Sequence, residues 1–145
     1  MRAVVQRVSA ARVVVGGDVV GEIGSGVCVL VGVARADTED EADRLAGKIA
    51  RLRIFEDEEG RFDRSLLDVH GSALVVSQFT LIADTAKGNR PSFSGAGPAE
   101  DAERLYEHFC AALTDFGVDV STGRFGARMA VDLANDGPVT IVLDV

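Results

Sequence analysis

Val27-Cys28-Val29-Leu30-Val31-Gly32-Val33 is an unbroken apolar run, and soon after it Thr38-Glu39-Asp40-Glu41 opens a stretch in which Ala42, Leu45, Ile49 and Leu52 recur at helical spacing. An apolar run that short and without alternation predicts a strand buried on both faces. Thr38 and Glu41 form a capping box: the hydroxyl accepts a hydrogen bond from an amide of the first turn, and the carboxylate returns to the cap's own N–H. Acids stand early in this helix and Arg44, Lys48 and Arg51 stand late, the order that the helix dipole favours. A fully buried strand followed by a helix with one apolar stripe predicts a mixed α and β architecture.

Working outward, Val4, Val8, Val13, Val14, Val15, Val19, Val20 and Ile23 fall in short β-branched runs broken at Gly16-Gly17 and Gly24-Ser25-Gly26, a strand and hairpin pattern. Downstream, residues 55–63 read as a turn around Gly60, and residues 73–81 as a return to strand. Residues 85–97, rich in Gly, Ser and Pro, make the longest irregular stretch, and such loops often carry function. A second helix opens at Pro98 with Glu100 and Asp101 in its first turn, buries Ala102, Leu105, Phe109, Leu113 and Phe116, and stops at Gly117. Three short strands are expected at 118–124, 129–133 and 139–145. With about eight strands, two main helices, no repeat and no linker, one mixed α/β domain over residues 1–145 is expected.

At 145 residues the chain can bury roughly 70% of its unfolded surface and hold a real core. Its apolar runs are too short to span a bilayer, and Met1-Arg2-Ala3-Val4, followed by Gln6, Arg7 and Arg12, lacks the apolar centre of a signal peptide. A cytoplasmic location is expected. Cys28 and Cys110 have no CxxC partner and are expected to be buried free thiols. The net charge of −8 argues against general binding of nucleic acid, which needs Lys and Arg against phosphate, and DNA is not an expected partner. The acidic runs at 37–43 and 56–59 read as a helix start and a turn tip.

The usual catalytic groups are scarce. His108 lies on the second helix and His70 precedes Gly71 in a loop; neither assembles a Ser-His-Asp or Cys-His arrangement. The two histidines and two cysteines show none of the zinc spacings, Asp57-Glu58-Glu59-Gly60 lacks the ligand pattern of a calcium loop, and the glycines from 16 to 26 form no phosphate-binding fingerprint. No cofactor is implied. A reaction that asks little of side chains is therefore indicated if the chain is an enzyme.

Two motifs carry the functional reading. Ser77-Gln78-Phe79-Thr80-Leu81 places two hydroxyls where an apolar strand stops, and Asn135-Asp136-Gly137-Pro138-Val139-Thr140 places a Gly-Pro bond in a turn feeding the closing strand. Together they resemble the signature of the D-aminoacyl-tRNA deacylases (DTD). Three further segments are similar to the same family: Met1-Arg2-Ala3-Val4-Val5-Gln6-Arg7-Val8, Lys87-Gly88-Asn89-Arg90-Pro91-Ser92-Phe93, and Gly123-Arg124-Phe125-Gly126-Ala127-Arg128-Met129. The resemblance spans the whole chain. It implies a layered β/β/α sandwich of the DTD type that works as a homodimer and hydrolyses the ester of D-aminoacyl-tRNA, a proofreading step.

On that resemblance, Ser77, Gln78, Phe79 and Thr80 are the catalytic candidates. An aminoacyl ester is already activated, and the neighbouring ribose hydroxyl can help move the proton, so the protein need supply only position and an oxyanion hole. Amides at Phe79 and Thr80 suit that role, with Thr80 read as an oxyanion donor through its backbone. The resemblance further implies that Gly137 and Pro138 form a cis unit reaching into the partner subunit's pocket. There a rigid carbonyl meets the substrate α-ammonium while its bulk excludes an L side chain. Such a gate leaves glycine hard to reject, which extends the expected substrates to glycyl-tRNA mischarged on tRNA(Ala).

Arg7 resembles the arginine that holds the Gly-Pro unit, or is a charge on an exposed strand face; Asn135 supports the same turn. Lys87 and Arg90 touch acceptor-stem phosphates, or Arg90-Pro91 is only a turn and Phe93 a core anchor. Phe125, Gly126, Ala127 and Met129 match the segment that lines the pocket for the terminal adenosine, while Phe125 also suits a core. Two rival readings stand on the same residues: a small-molecule ester or amide hydrolase with Thr80 as nucleophile, and a non-catalytic dimeric binding module in which both motifs are turns.

Overall fold

Burial along the first strand decides the layering. In the computed structural model, which describes residues 1–145, β1 (Arg2–Val15) buries Ala3 and Val5 against one core and Val8, Ala11 and Val13 against another. The change of face falls where the register slips between Val8 and Ala10. The first half of β1 pairs with β3 (Gly26–Gly32), from Arg2↔Gly32 to Val8↔Gly26, and the second half pairs with β2 (Asp18–Ile23). A strand shared in this way folds one sheet back over itself. Gly21 marks the close approach of the two layers: a Cβ there would lie 2.2 Å from the Thr122 carbonyl oxygen.

The central sheet continues from β3 to β6 (Ser72–Ser77) and β7 (Asp119–Thr122), both added in parallel. Parallel neighbours require crossovers, and these are the two helices, α1 (Glu39–Arg51) and α2 (Ala99–Asp115), which pack against one face. Val27, Val29 and Val31 face the helices, while Cys28 faces the second sheet layer, so β3 is buried on both sides as its apolar run predicts. Phe109, Leu45, Ile49, Leu105 and Leu113 fill the helix-facing core. The result is a β/β/α sandwich.

The capping box forms: the Thr38 N–H donates to the Glu41 carboxylate at 2.6 Å, and the Asp40 N–H donates to the Thr38 hydroxyl at 3.3 Å. Residues 55–63 hold a short ribbon, β4 (Phe55–Glu56) and β5 (Phe62–Arg64), whose turn is closed by Asp57 accepting from the amides of Glu59 and Arg61. No helix is long and apolar enough to cross a membrane. Cys28 is buried but Cys110 is only half-buried, on the flank of α2; burial pushes both thiols up to about 11.

Three expected boundaries are corrected. The strand expected over 73–81 ends at Ser77, because its parallel partner runs out at Val31; the Gln78 N–H takes the Val31 carbonyl at 2.7 Å and the chain turns into a 3₁₀ helix, Phe79–Ile82. The strand expected over 118–124 is β7 and stops at Thr122. The strands expected over 129–133 and 139–145 are one strand, β8 (Ala130–Asp144), which follows β1 along nearly its whole length. Asn135 to Thr140 is therefore an excursion within a strand rather than a turn between two. From Gln6↔Thr140 to Val8↔Asn135, β1 advances two residues while β8 advances five.

Candidate active site

Where β6 ends, its last residues meet the loop that follows β7. Ser77, Gln78 and Phe79 line a cavity of about 550 Å³ together with Phe125, Gly126, Ala127 and Met129. Seven of the residues singled out from sequence thus share one site. Val33, Val76, Ala96, Gly97, Ala99, Ala102 and Val131 complete the wall and were not anticipated. The run Ala96-Gly97-Pro98-Ala99 held a readable signal, since small residues before a helix leave room for a ligand. Pro98 caps α2 without any side-chain hydrogen bond, so the helix presents its unbonded leading amides, and a partial positive charge, at the wall where Ala99 and Ala102 stand.

The 3₁₀ turn forms part of the rim. The Leu81 N–H donates to the Gln78 carbonyl and the Ala83 N–H to the Thr80 carbonyl, which leaves the N–H groups of Phe79 and Thr80 as the leading, unbonded donors of the turn. Thr80 itself does not line the cavity; its side chain is exposed and its hydroxyl is bound by the Gln78 amide. No titratable side chain lines the cavity. Behind the wall stands Tyr106, packed 5.8 Å from the Phe125 ring, and its hydroxyl donates to the Val75 carbonyl at 2.8 Å. Burial holds that phenol protonated, well above its ordinary range. Phe125 is half-buried, with its ring shared between the cavity and this contact. Gly126 takes φ 75°, a left-handed conformation that turns the loop over the cavity. Met129 accepts a hydrogen bond from the Arg124 amide at 3.4 Å through its sulfur.

Phe93 is not a core anchor. It is exposed and meets Phe79 edge to face, with ring centroids 5.0 Å apart, outside the cavity. Lys87 and Arg90 sit in the same exposed loop, which the bridge Asp84↔Ser92 closes, and neither joins an ion pair or lines the cavity.

A second cluster forms around Gly137-Pro138. Arg7 is buried rather than on an exposed face: its Nε donates to the Asp136 carbonyl at 3.0 Å and its Nη1 to the Ile54 carbonyl at 2.8 Å, with Glu56 and Asp136 carboxylates at 3.5 and 3.6 Å. The alternation Ala3, Val5, Arg7 placed it on the inner face, a signal the charge obscured. Asn135 accepts the Val139 N–H at 3.1 Å and donates to the Thr140 hydroxyl at 3.1 Å, closing the excursion. The Gly137-Pro138 bond is cis, and both residues are exposed. A Cβ at Gly137, where φ is 133°, would lie 2.8 Å from Val139 Cγ2 and 3.1 Å from Arg7 Nη2. This cluster does not belong to the cavity of its own chain. Arg7 is level with Val27 and Ala73, whereas the cavity begins at Val76, three residues or roughly 10 Å further along β6.

Histidine plays no part in either cluster. His108 bridges the helices, with Nε2 at 2.8 Å from an Asp43 carboxylate oxygen, and His70 occupies a loop at φ 52°. No group of three His, Cys, Asp or Glu side chains is placed to hold a metal ion.

The sequence profile of the family described as D-Tyr-tRNA(Tyr) deacylase matches residues 4–144. A D-aminoacyl-tRNA deacylase of Ruegeria pomeroyi is 61% identical over 145 residues, covering 100% of both chains. One of Roseiflexus sp. is 64% identical over 99% of this chain and 93% of its own. Among solved structures, a protein described as c-Myc DNA Unwinding Element Binding Protein superposes with a TM-score of 0.95 at 45% identity, over 100% of this chain and 99% of its own. A probable eukaryotic D-amino acid tRNA deacylase shares the fold, with a TM-score of 0.86 at 19% identity over 99% of this chain and 98% of its own.

Proposed function

This chain belongs to the D-Tyr-tRNA(Tyr) deacylase family, and from that premise we propose that it hydrolyses D-aminoacyl-tRNA by positioning and backbone electrostatics alone. As a family member it is a hydrolase acting on aminoacyl-tRNA. The observation that carries the mechanism is the composition of the cavity: polar atoms and free amides at its rim, with no titratable side chain in its wall. Water attacks the ester carbonyl, and the charge that develops on oxygen is met by the amides of Phe79 and Thr80. The vicinal ribose hydroxyl relays the proton to the departing ribose oxygen, and the products are the free D-amino acid and tRNA. Phe125, with Gly126, Ala127 and Met129, offers an aromatic face and small neighbours for the terminal adenine. Ser77 and Gln78 hold the strand end, and Gln78 fixes Thr80 through its hydroxyl.

Chirality is assigned to Gly137-Pro138 of a second copy. The unit is exposed, anchored by Arg7 and Asn135, and does not line the cavity of its own chain. A homodimer that inserts it into the partner's cavity sets a backbone carbonyl against the substrate α-ammonium and fills the space of an L side chain. Glycyl-tRNA mischarged on tRNA(Ala) passes the same gate. Lys87 and Arg90 lie free to meet acceptor-stem phosphates. Action on aminoacyl-tRNA supports a cytoplasmic location.

The test is the rate at which the purified protein, with a chelator present, deacylates matched D-tyrosyl-tRNA and L-tyrosyl-tRNA. Rapid loss of the D ester with the L ester spared is the expected result. Equal loss of both removes the chiral gate, and no acceleration of either removes the activity.

A further inference from the structure

The chain carries a net charge of −8, yet one face of α1 concentrates cations. Arg44, Lys48, Arg51 and Arg53 line an open groove of about 530 Å³ between the end of α1 and the end of α2. Its floor is Gly47 and Phe116. A Cβ at Gly47 would lie 3.2 Å from the Phe116 ring and 3.1 Å from Arg51 Nη1, so the bare backbone lets ring and guanidinium lie flat against the helix. Arg51 is held over the Phe116 ring at 4.7 Å and joins no ion pair; Lys48 is exposed and joins none either. Arg44 and Arg53 pair with Glu41 and Asp63 in exposed contacts of little energetic weight. The acid in the groove wall, Asp43, is engaged by His108 at 2.8 Å. Aromatic support orients a guanidinium in advance, which favours two parallel hydrogen bonds to a phosphate.

The groove sits beside the second cluster. Arg53 precedes Ile54, whose carbonyl shares the Arg7 guanidinium with the carbonyl of Asp136, next to Gly137-Pro138. If that unit enters a partner's cavity, the groove of one protomer borders the active site of the other. We propose that this groove binds the phosphodiester backbone of the tRNA substrate, adding to Lys87 and Arg90 the positive contacts that the uncharged cavity lacks. The inference rests on the deacylase reading for the identity of the RNA.

The test compares wild type with the charge-reversed double variant Lys48→Glu/Arg51→Glu and the charge-conserving Lys48→Arg/Arg51→Lys, all in the full-length protein. Binding of uncharged tRNA is measured across a salt series, and hydrolysis is measured on D-tyrosyl-tRNA and on 3'-O-D-tyrosyl adenosine, which has no phosphodiester. Reversal is expected to lower the slope of log Kd against log salt by about two and weaken tRNA binding at low salt by about tenfold or more, while the charge-conserving variant keeps the wild-type slope. KM for the tRNA ester rises with kcat kept, and the adenosine ester is cleaved at the wild-type rate. Wild-type affinity and slope in the reversed variant would overturn the proposal, as would a wild type that binds no tRNA. Should the double variant fail to fold, Lys48→Glu alone decides, with an expected slope change of about one. A wild type that binds tRNA but spares the D ester counts against the deacylase reading only, since the binding arm is read without turnover.

Discussion

A threonine nucleophile needs a base within hydrogen-bond reach, and at Thr80 the only side-chain partner of the hydroxyl is the carboxamide of Gln78, which cannot accept a proton at neutral pH. The cavity wall adds no His, Asp, Glu, Lys or Cys. Thr80→Ala keeps the backbone amide and removes only the hydroxyl, so deacylation of D-tyrosyl-tRNA should stay within about tenfold of wild type, with kcat the quantity to watch. A fall of about four orders of magnitude would instead reinstate Thr80 as nucleophile and with it the small-molecule hydrolase reading. For Arg7 the sequence left two readings open, an anchor of the Gly-Pro unit or a charge on an exposed strand face, and its burial beside the Asp136 carbonyl removes the second. Its motif pointed to the Gly-Pro unit, but only the fold reveals that one guanidinium ties together the carbonyls of Ile54 and Asp136, which are remote in sequence.

At the scale of elements, local signals were most legible where the element supplies its own hydrogen bonds. The α1 capping box was written in Thr38 and Glu41, and the structure closes it. Hydrogen bonds from the Thr38 side chain and then its backbone hold the Glu41 carboxyl below its ordinary value of 4.5. A carboxylate lowered by folding stabilises the fold above its unfolded pKa, and that contribution is lost as pH falls through the lowered folded value. Glu41→Gln should therefore lower Tm relative to wild type at pH 7, and the difference should close as the pH falls below 4.5; a gap that persists or widens there would remove the carboxylate from the cap. Strand ends were less legible, because a strand's length depends on its neighbour. Nothing within residues 73–81 says that β3 ends at Gly32, and the chain must turn when its partner's carbonyls run out. Gly137-Pro138 was misread for the opposite reason. Glycine followed by proline signals a break, yet β1 continues alongside and resumes pairing at Gln6↔Thr140, so the signal marks a bulge inside one long strand.

At the scale of the molecule, β8 pairs on one side only, with β1, and its outer face leaves Val142 60% exposed. A long free edge with an apolar outer face is a surface that proteins either cover or pair. The same strand carries the exposed Gly137-Pro138 unit, which does not line the cavity of its own chain, where the proposed reading needs a chiral gate. The proposed two-fold pairing would satisfy both needs at once, because an isologous contact that delivers the unit of one copy to its partner delivers the reciprocal unit back. The arrangement makes a prediction about mixtures. Ala127→Trp fills the cavity of its own chain, while Gly137→Ala forces a Cβ against Val139 and Arg7 at a backbone angle that favours glycine. Each variant alone should have lost D-specific deacylation. Co-refolded in equal amounts, they form heterodimers in which one site joins an intact cavity to an intact Gly-Pro unit, and about a quarter of wild-type activity should return from random pairing. Simple mixing without subunit exchange should return none. If each site were built within a single chain, no pairing could restore it, and an inactive co-refolded mixture of well-folded dimers would place the gate in cis.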